Sequence, residues 1–349
     1  MLQPFKLSGK FSGVSAVACA LFLSACGPSG DAPATPDEAS APETEAAATE
    51  EQPAEVRRER AEILEEYEAA LADARKTEGN GSPALWTLAD EDTTIYMFGT
   101  VHILRPDVEW RTPEFEAAFD SADTLVLELD MESDAGKQAM ARDFMSRGMY
   151  GDGRTLSNEI SEGDLAVLTD ALQPLGIPMA ALDPMEPWMV AVNLSVIKLQ
   201  QDGFDPNSGV EQKLIAEARE DGKSFGFLET ASVQASIFDT LPEPVQAEYL
   251  YETALTLEDT TTMLDQVIEE WADGDVKGLG ILVANPDTSG GEGIYDALFL
   301  DRNTSWVPQI EAMLDEPGTV FIAVGAGHLA GPDSVITMLR DKGHEIEGP

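Results

Sequence analysis

The chain reads as an α/β protein: a mixed β-sheet core with flanking helices and a helical insertion. Three observations predict this. From Pro83 onward, short apolar runs alternate with longer amphipathic ones, the pattern of strands interleaved with helices. Strand-length runs stand at both ends of that region and bracket a helix-rich middle. Two of the runs, Ile95–Phe98 and Phe321–Val324, are each followed by Gly, two residues and His, giving two G-x-x-H half-repeats of one plan.

The elements follow in order. Val56 to about Lys76 is rich in helix formers and sets Ile63, Tyr67 and Leu71 roughly on one face, so this segment either packs on the domain or stands as a stalk. The spacing predicts strands at Ala84–Leu88, Thr94–Phe98, Thr124–Leu129, Phe225–Leu228 and Val320–Val324. It predicts helices at Glu114–Ser121, Ala135–Arg147, Glu162–Gln173, Pro187–Gln200, Val210–Glu220, Glu243–Leu255, Thr260–Ala272, Ile294–Leu314 and Asp333–Lys342. The stretch Met185–Gln200 is apolar on nearly all sides. It reads as a buried helix, too short and too charged at Lys198 to span a bilayer. Residues 83–345 form one domain, near the upper size for a single core.

Composition bounds the function. The chain carries 21 Lys and Arg against 65 Asp and Glu, a formal net charge of −44, with the acids scattered along its whole length. Such a protein repels nucleic acid and anionic membrane surfaces. The two cysteines, Cys19 and Cys26, both lie near the N-terminus, which excludes thiol catalysis and cysteine zinc sites in the folded region.

The N-terminus has the form of a secretory signal. Lys6 and Lys10 precede an apolar run, Val14–Leu23, that is far short of the ~20 residues needed to span a bilayer. Leu23-Ser24-Ala25-Cys26 resembles the bacterial lipobox, which predicts a signal peptide over 1–25 and a lipid on Cys26. A plain signal peptide or an uncut anchor is the alternative. Residues 26–55 are Ala, Pro, Glu, Thr, Asp and Ser with almost nothing large and apolar, and read as a disordered tether. A helical segment, 56–78, follows. Gly27 in place of Asp after Cys26 gives no inner-membrane retention signal, so the expected location is the outer membrane, facing the periplasm.

The candidate site is spread along the domain. His102 and His328 each follow an apolar strand by way of a glycine, expected to let the backbone leave the strand sharply, and so project from strand carboxyl ends, where open α/β sheets bind ligands. Leu125, Leu127 and Leu129 fall on one strand face, and Val126, Glu128 and Asp130 on the other. A carboxylate such as Glu128 in that run is costly unless paired, hydrogen-bonded or bound to a metal. Phe225–Leu228 likewise ends in an acid, Glu229. Two imidazoles and two carboxylates suit a divalent ion such as Mn²⁺, Fe²⁺, Co²⁺ or Zn²⁺. Arg302, beside Asn303 and near Trp306, is a rare base that can bind a substrate carboxylate or an oxyanion. The plainer alternatives are that Glu128 and Glu229 bond backbone groups or pair with Arg302, and that Arg302 makes an ordinary salt bridge. His344 reads as a solvated residue and Trp188 as core.

Several motifs occur together in order: Pro83-Ala84-Leu85-Trp86, Phe98–His102, Leu125–Asp130, Phe227-Leu228-Glu229-Thr230 with Gln234, Trp271-Ala272-Asp273-Gly274-Asp275, Asp301-Arg302-Asn303 with Trp306, and Ala323–Gly331. This set closely resembles the TraB/GumN family over roughly Pro83 to Gly343. That family is similar to the animal Tiki proteins, which are metal-dependent proteases, and more distantly to erythromycin esterase-like enzymes and ChaN haem-binding lipoproteins. The resemblance implies a mixed α/β fold, His102 and His328 as the paired histidines, Glu128 and Glu229 as strand-end acids and Arg302-Asn303 as an Arg-Asn element. Two departures are Glu211, where Asp is commoner after Gly209-Val210, and a C-terminus lacking a clear final strand; neither is expected to touch the site. The expected function is a metal-dependent hydrolase of a peptide or amide. His102, Glu128 and His328 would bind the ion, Glu229 would be base or fourth ligand, and Arg302 would position substrate. The alternatives are a non-catalytic envelope lipoprotein that captures haem or a peptide signal or supports polysaccharide export, and a structural envelope factor.

Overall fold

A computed structural model of the protein describes residues 58–285 and 292–349. The expected signal peptide, Cys26 and the tether lie outside the described residues. The sheet is built from β1 (Leu85–Ala89), β2 (Thr93–Thr100), β3 (Thr124–Leu127), β4 (Ser224–Phe227), β5 (Gly318–Gly325) and β6 (Ile346–Glu347), in the order β4-β3-β5-β2-β1-β6. β4, β3, β5 and β2 are mutually parallel; β1 and β6 continue the sheet antiparallel. All five expected strands are present. β6 corrects the reading of a C-terminus without a final strand. It pairs Ile346 with Leu88 and Glu347 with Thr87, and the Trp86 Nε1–H donates to Pro349 O at 3.1 Å. Gly348, at φ +131°, makes this possible, since a Cβ there would lie 2.6 Å from the Trp86 ring.

Strand alternation sorts the core into two layers. One face of the sheet gives Phe98, Leu125, Leu127 and Phe321 to the larger core, where they meet α2 (Pro113–Ser121) through Phe115 and Phe119. The other face gives Trp86, Ile95, Met97, Val126 and Ile322 to a smaller core under α11 (Asp301–Met313) and α12 (Val335–Asp341). Val126 and its neighbours Leu125 and Leu127 thus part as the sequence alternation requires.

The remaining longer helices are α1 (Arg60–Ala74), α3 (Asp134–Arg147), α4 (Glu162–Leu175), α5 (Pro187–Gln201), α6 (Val210–Asp221), α7 (Ala231–Asp239), α8 (Glu243–Leu255), α9 (Thr260–Asp273) and α10 (Val276–Leu282). α7 and α10 were not expected; each is short, and each is started by a side-chain cap, Thr230 and Asp275 respectively. α5 is the all-round apolar helix, and Trp188, Val190 and Leu194 on it are fully buried. The single helix expected over Ile294–Leu314 is instead a short turn (Glu292–Tyr295), a π-helical turn (Asp296–Leu300) and α11. Among the described residues no helix is long and apolar enough to cross a membrane.

α1 packs on the domain and is not a free stalk. Ile63, Tyr67, Leu71 and Ala74 are buried, and the Tyr67 hydroxyl donates to Gln266 Oε1 at 2.7 Å. Arg60 pairs with Asp259 across the same junction at 2.6 Å. Replacing fully buried Ile63 with Ala is expected to cost about 2–4 kcal/mol, whereas Ala at exposed Glu65 should change stability by less than about 0.5 kcal/mol. Urea midpoints of the two variants check this, and equal midpoints would show that α1 is not part of the cooperative unit.

Candidate functional site

Four neighbouring parallel strands deliver the four expected strand-end residues to one place. His102 follows β2, Glu128 follows β3, Glu229 follows β4 and His328 follows β5. β2 and β5 are paired in register, Thr100 beside Gly325, so the two G-x-x-H segments leave the sheet side by side. Their glycines act differently from the expected role. Neither Gly99 nor Gly325 is in the positive-φ region, and both are still within their strands. They are needed for close approach. A Cβ on Gly99 would lie 2.9 Å from Ala326 Cα, and one on Gly325 would lie 3.2 Å from Glu128 Oε1 and 3.5 Å from His102 Nε2. The site is therefore folded down onto a bare stretch of β5 backbone.

Arg302, in the first turn of α11, is the hub. Its Nη2 donates to Glu128 Oε2 at 2.6 Å and also to Glu229 Oε1, and its Nε donates to Glu229 Oε1 at 3.0 Å. Its Nη1 lies 2.8 Å from His328 Nε2 and donates to Leu298 O, in the preceding π-helical turn, at 3.2 Å. The guanidinium sits 4.8 Å from the Trp306 ring centre, and the same ring packs 4.2 Å from the His328 ring. Glu128 also accepts Gly325 N–H at 2.7 Å and Gln234 Nε2–H at 3.1 Å. The pairing of both carboxylates with Arg302 is thus real, and it coexists with the clustering of the histidines.

Each imidazole is tethered from outside. His102 Nδ1 contacts the Glu211 carboxylate, which also accepts from the Thr100 hydroxyl. His328 Nδ1 lies 2.6 Å from Asn303 Oδ1, and Asn303 Nδ2 is itself held by Asp333 O at 2.7 Å. In the neutral form of each ring, an oxygen acceptor at Nδ1 places the proton there and turns the Nε2 lone pair inward. Both Nε2 atoms lie 3.9 Å from the same atom, Glu128 Oε1.

Glu211 corrects the expectation that this departure leaves the site untouched. Gly209-Val210-Glu211 wraps the His102 loop: Val210 N donates to Val101 O at 3.1 Å, and a Cβ on Gly209 would lie 2.1 Å from His102 O. The Gly-Val-acid signal was visible in the sequence, but its contact with His102 was not. Gln234 and Trp306 were noted only as motif residues. Asp130 turns away and caps the start of α3 through Ser133. His344 is a surface partner of Glu311 at 3.0 Å, outside the site.

Burial and charge set the titration. Burial raises the Glu128 carboxyl, but Arg302 and the histidines outweigh it and hold Glu128 down at about 2. Glu229 is pushed the other way, by burial first, with Glu128 adding to it against Arg302. Burial and then Arg302 drive His328 well below its ordinary value of 6.5. Burial also lowers His102, yet the Glu211 charge and hydrogen bond outweigh it, and the net direction is upward.

Two imidazole nitrogens and a carboxylate oxygen are donors of the type that divalent ions take. Their inward Nε2 atoms and outer oxygen tethers suit such an ion. Among the described residues, however, no group of three or more His, Cys, Asp or Glu stands in metal-holding geometry. Arg302 Nη1 holds the lone pair of His328 at 2.8 Å. That nitrogen binds an ion only if Arg302 withdraws.

The two histidines should titrate in opposite directions. The His328 contribution to stability is complete above 6.5 and is lost as pH falls below it; the His102 contribution is complete below 6.5 and is lost as pH rises through its raised value. In imidazole NMR of the metal-free protein at pH 6.5, His328 should be neutral and His102 mostly protonated. The reverse order would overturn this account of the site.

The comparisons with known proteins show the family. A sequence profile of the TraB/PrgY/gumN family matches residues 84–348. The chain is 24% identical to "Uncharacterized protein YbaP" of Escherichia coli (strain K12) over 258 residues, covering 74% of this chain and 92% of the relative. It is 25% identical to YbaP of Shigella flexneri over 245 residues, 70% of this chain and 87% of that protein. It is 22% identical to an "Uncharacterized protein" of Treponema pallidum (strain Nichols), over 74% of this chain and 80% of that one. No solved structure matches it. With the profile spanning the whole sheet and every residue of the site, the chain belongs to the TraB/PrgY/gumN family.

Proposed function

We propose that the protein is a lipid-anchored hydrolase of the cell envelope, acting on peptide or amide bonds with a divalent ion held by His102, Glu128 and His328. The observation that carries this is the shared aim of the two imidazoles. Both are tied at Nδ1 by a side-chain oxygen and both present Nε2 to Glu128 Oε1 at 3.9 Å. Once bound, such an ion polarises a carbonyl and lowers the pKa of a water molecule. The remaining tasks fall to this chain's own residues. Glu128 and Glu229 share one guanidinium, but their proton affinities are driven apart, so Glu128 stays anionic and Glu229 exchanges the proton. Arg302 spends its N–H groups on Glu128, Glu229, His328 and Leu298 O, so it receives a developing oxyanion or a substrate carboxylate by giving up one of these partners in a water-poor setting. The Trp306 ring lies beside it at 4.8 Å. Anchoring through Cys26, on the outer membrane facing the periplasm, rests on the lipobox-like Leu23–Cys26 and on Gly27.

One observation favours a second reading, a structural network without an ion: Arg302 already bonds Glu128, Glu229 and His328 together. Metal analysis separates the two. After incubation with Mn²⁺, Co²⁺ or Zn²⁺ and dialysis, the purified protein should retain about one ion per chain. His102→Ala and His328→Ala should reduce this to background. A wild-type protein that retains none leaves the structural network as the better reading, and the His variants should then show lost stability alone.

The anchor is tested separately. Cys26→Ser should abolish incorporation of labelled fatty acid and release the protein from the membrane fraction. Unchanged labelling would remove Cys26 as the lipid site.

A further inference from the structure

β4 is the edge strand at one end of the sheet, with β6 at the other. Its inner side is used by β3: Ser224 N donates to Asp123 O at 2.9 Å and Leu228 N to Leu127 O at 3.0 Å. In a parallel ladder alternate residues face opposite sides, so the N–H and C=O groups of Phe225 and Phe227 point away from the sheet. Among the described residues nothing bonds to them. Proteins protect such edges with charge, proline or bulges, and Ser224-Phe225-Gly226-Phe227 has no charge and no proline. An edge left bare in this way is a template for an added strand.

A second observation lies at the same corner. The large hydrophobics that the described residues expose are Met145 (55%), Val233 (46%) and Phe227 (36%). Phe227 ends β4, Val233 is in the first turn of α7, and Met145 is in the last turn of α3. α3 and α7 are joined there, with Arg147 Nη2 3.3 Å from Ser232 Oγ. Direction supplies the third observation. Just past its end, β4 reaches Glu229, whose backbone N–H donates to Glu128 O at 2.8 Å and whose carboxylate is held by Arg302. A strand laid along β4 is led to the site.

We propose that β4 is the docking edge for an extended peptide segment of the substrate. The segment adds as a further strand, with apolar side chains against Phe227, Val233 and Met145. A formal net charge of −44 selects for a neutral or basic segment over an acidic one. The role as a substrate edge rests on the peptide-hydrolase reading above; the binding itself does not.

The test uses a fluorescein-labelled, amidated octapeptide of alternating Val and Lys, with two versions N-methylated at alternate amides in opposite registers. Binding to the purified full chain is read by anisotropy. Phe227→Pro removes one outward N–H and leaves the ladder to β3 intact, an exchange that edge strands tolerate. Wild type should bind the plain peptide. Phe227→Pro, Val233→Glu and one of the two N-methylated registers should each weaken binding about tenfold, or about 1.4 kcal/mol. The bound metal of Phe227→Pro should equal that of wild type. If Phe227→Pro does not fold, the two N-methylated peptides still decide the matter. No binding by wild type, or equal binding of both registers, overturns the proposal. So does a wild-type dimer that Phe227→Pro converts to monomer without any peptide binding, because the edge then belongs to a second copy. Peptide binding without metal retention keeps the docking edge and removes the hydrolase reading; metal retention without peptide binding does the reverse.

Discussion

A guanidinium that is 3% exposed cannot stay charged inside a protein unless its surroundings answer its charge, and Arg302 is answered by two carboxylates at once. Glu128 and Glu229 come from neighbouring strands, and His328 supplies a lone pair from a third. Removing Arg302 itself would leave buried carboxylate charge uncompensated, a loss of about 3–5 kcal/mol in comparable pairs. The hub therefore constrains everything around it. It sets the depth at which α11 lies on the sheet, holds the His328 ring between Trp306 and Asn303, and keeps Glu128 ionised.

The sheet makes that hub geometrically possible. Four parallel strands end at the same level, and the side chains of the residues just past them meet over the carboxyl edge. Room for them comes from Gly325, where a Cβ would press on Glu128 Oε1 at 3.2 Å and fill the space beside His102. The π-helical turn before α11 adds a carbonyl, Leu298 O, to the groups that hold Arg302 Nη1. π turns of this kind are uncommon and cluster at functional sites. The outer shell, Glu211 and Asn303, then decides which nitrogen of each ring faces inward.

Much of this was legible in the residues themselves. The five main strands stand out because each is a short apolar run bounded by turn residues. The strand-end positions of His102, Glu128, Glu229 and His328 follow directly from where those runs stop. What could not be read is contact across distance. The sequence places Glu211 at the start of a helix, but nothing local says that this helix lies against the loop before it. The glycines of the G-x-x-H segments signalled a special backbone need, and turning the chain and permitting close approach leave the same mark in a sequence. Arg302 looked equally like a substrate ligand and a salt bridge because its partners are far away in the chain. The broken helix before α11 has the same apolar spacing as a continuous one, so the π turn left no separate trace.

The bonds that make the site join residues far apart along the chain. Arg302 and Glu128 are separated by 174 positions, and Gly325 N and Glu128 by 197. Closing such long loops costs entropy and is slow. No partly folded chain carries the assembled cluster. The cluster comes into being only when the first and last strands of the parallel set are in place together. Whatever this cluster does, its competence belongs to the finished fold and to no single segment of the chain.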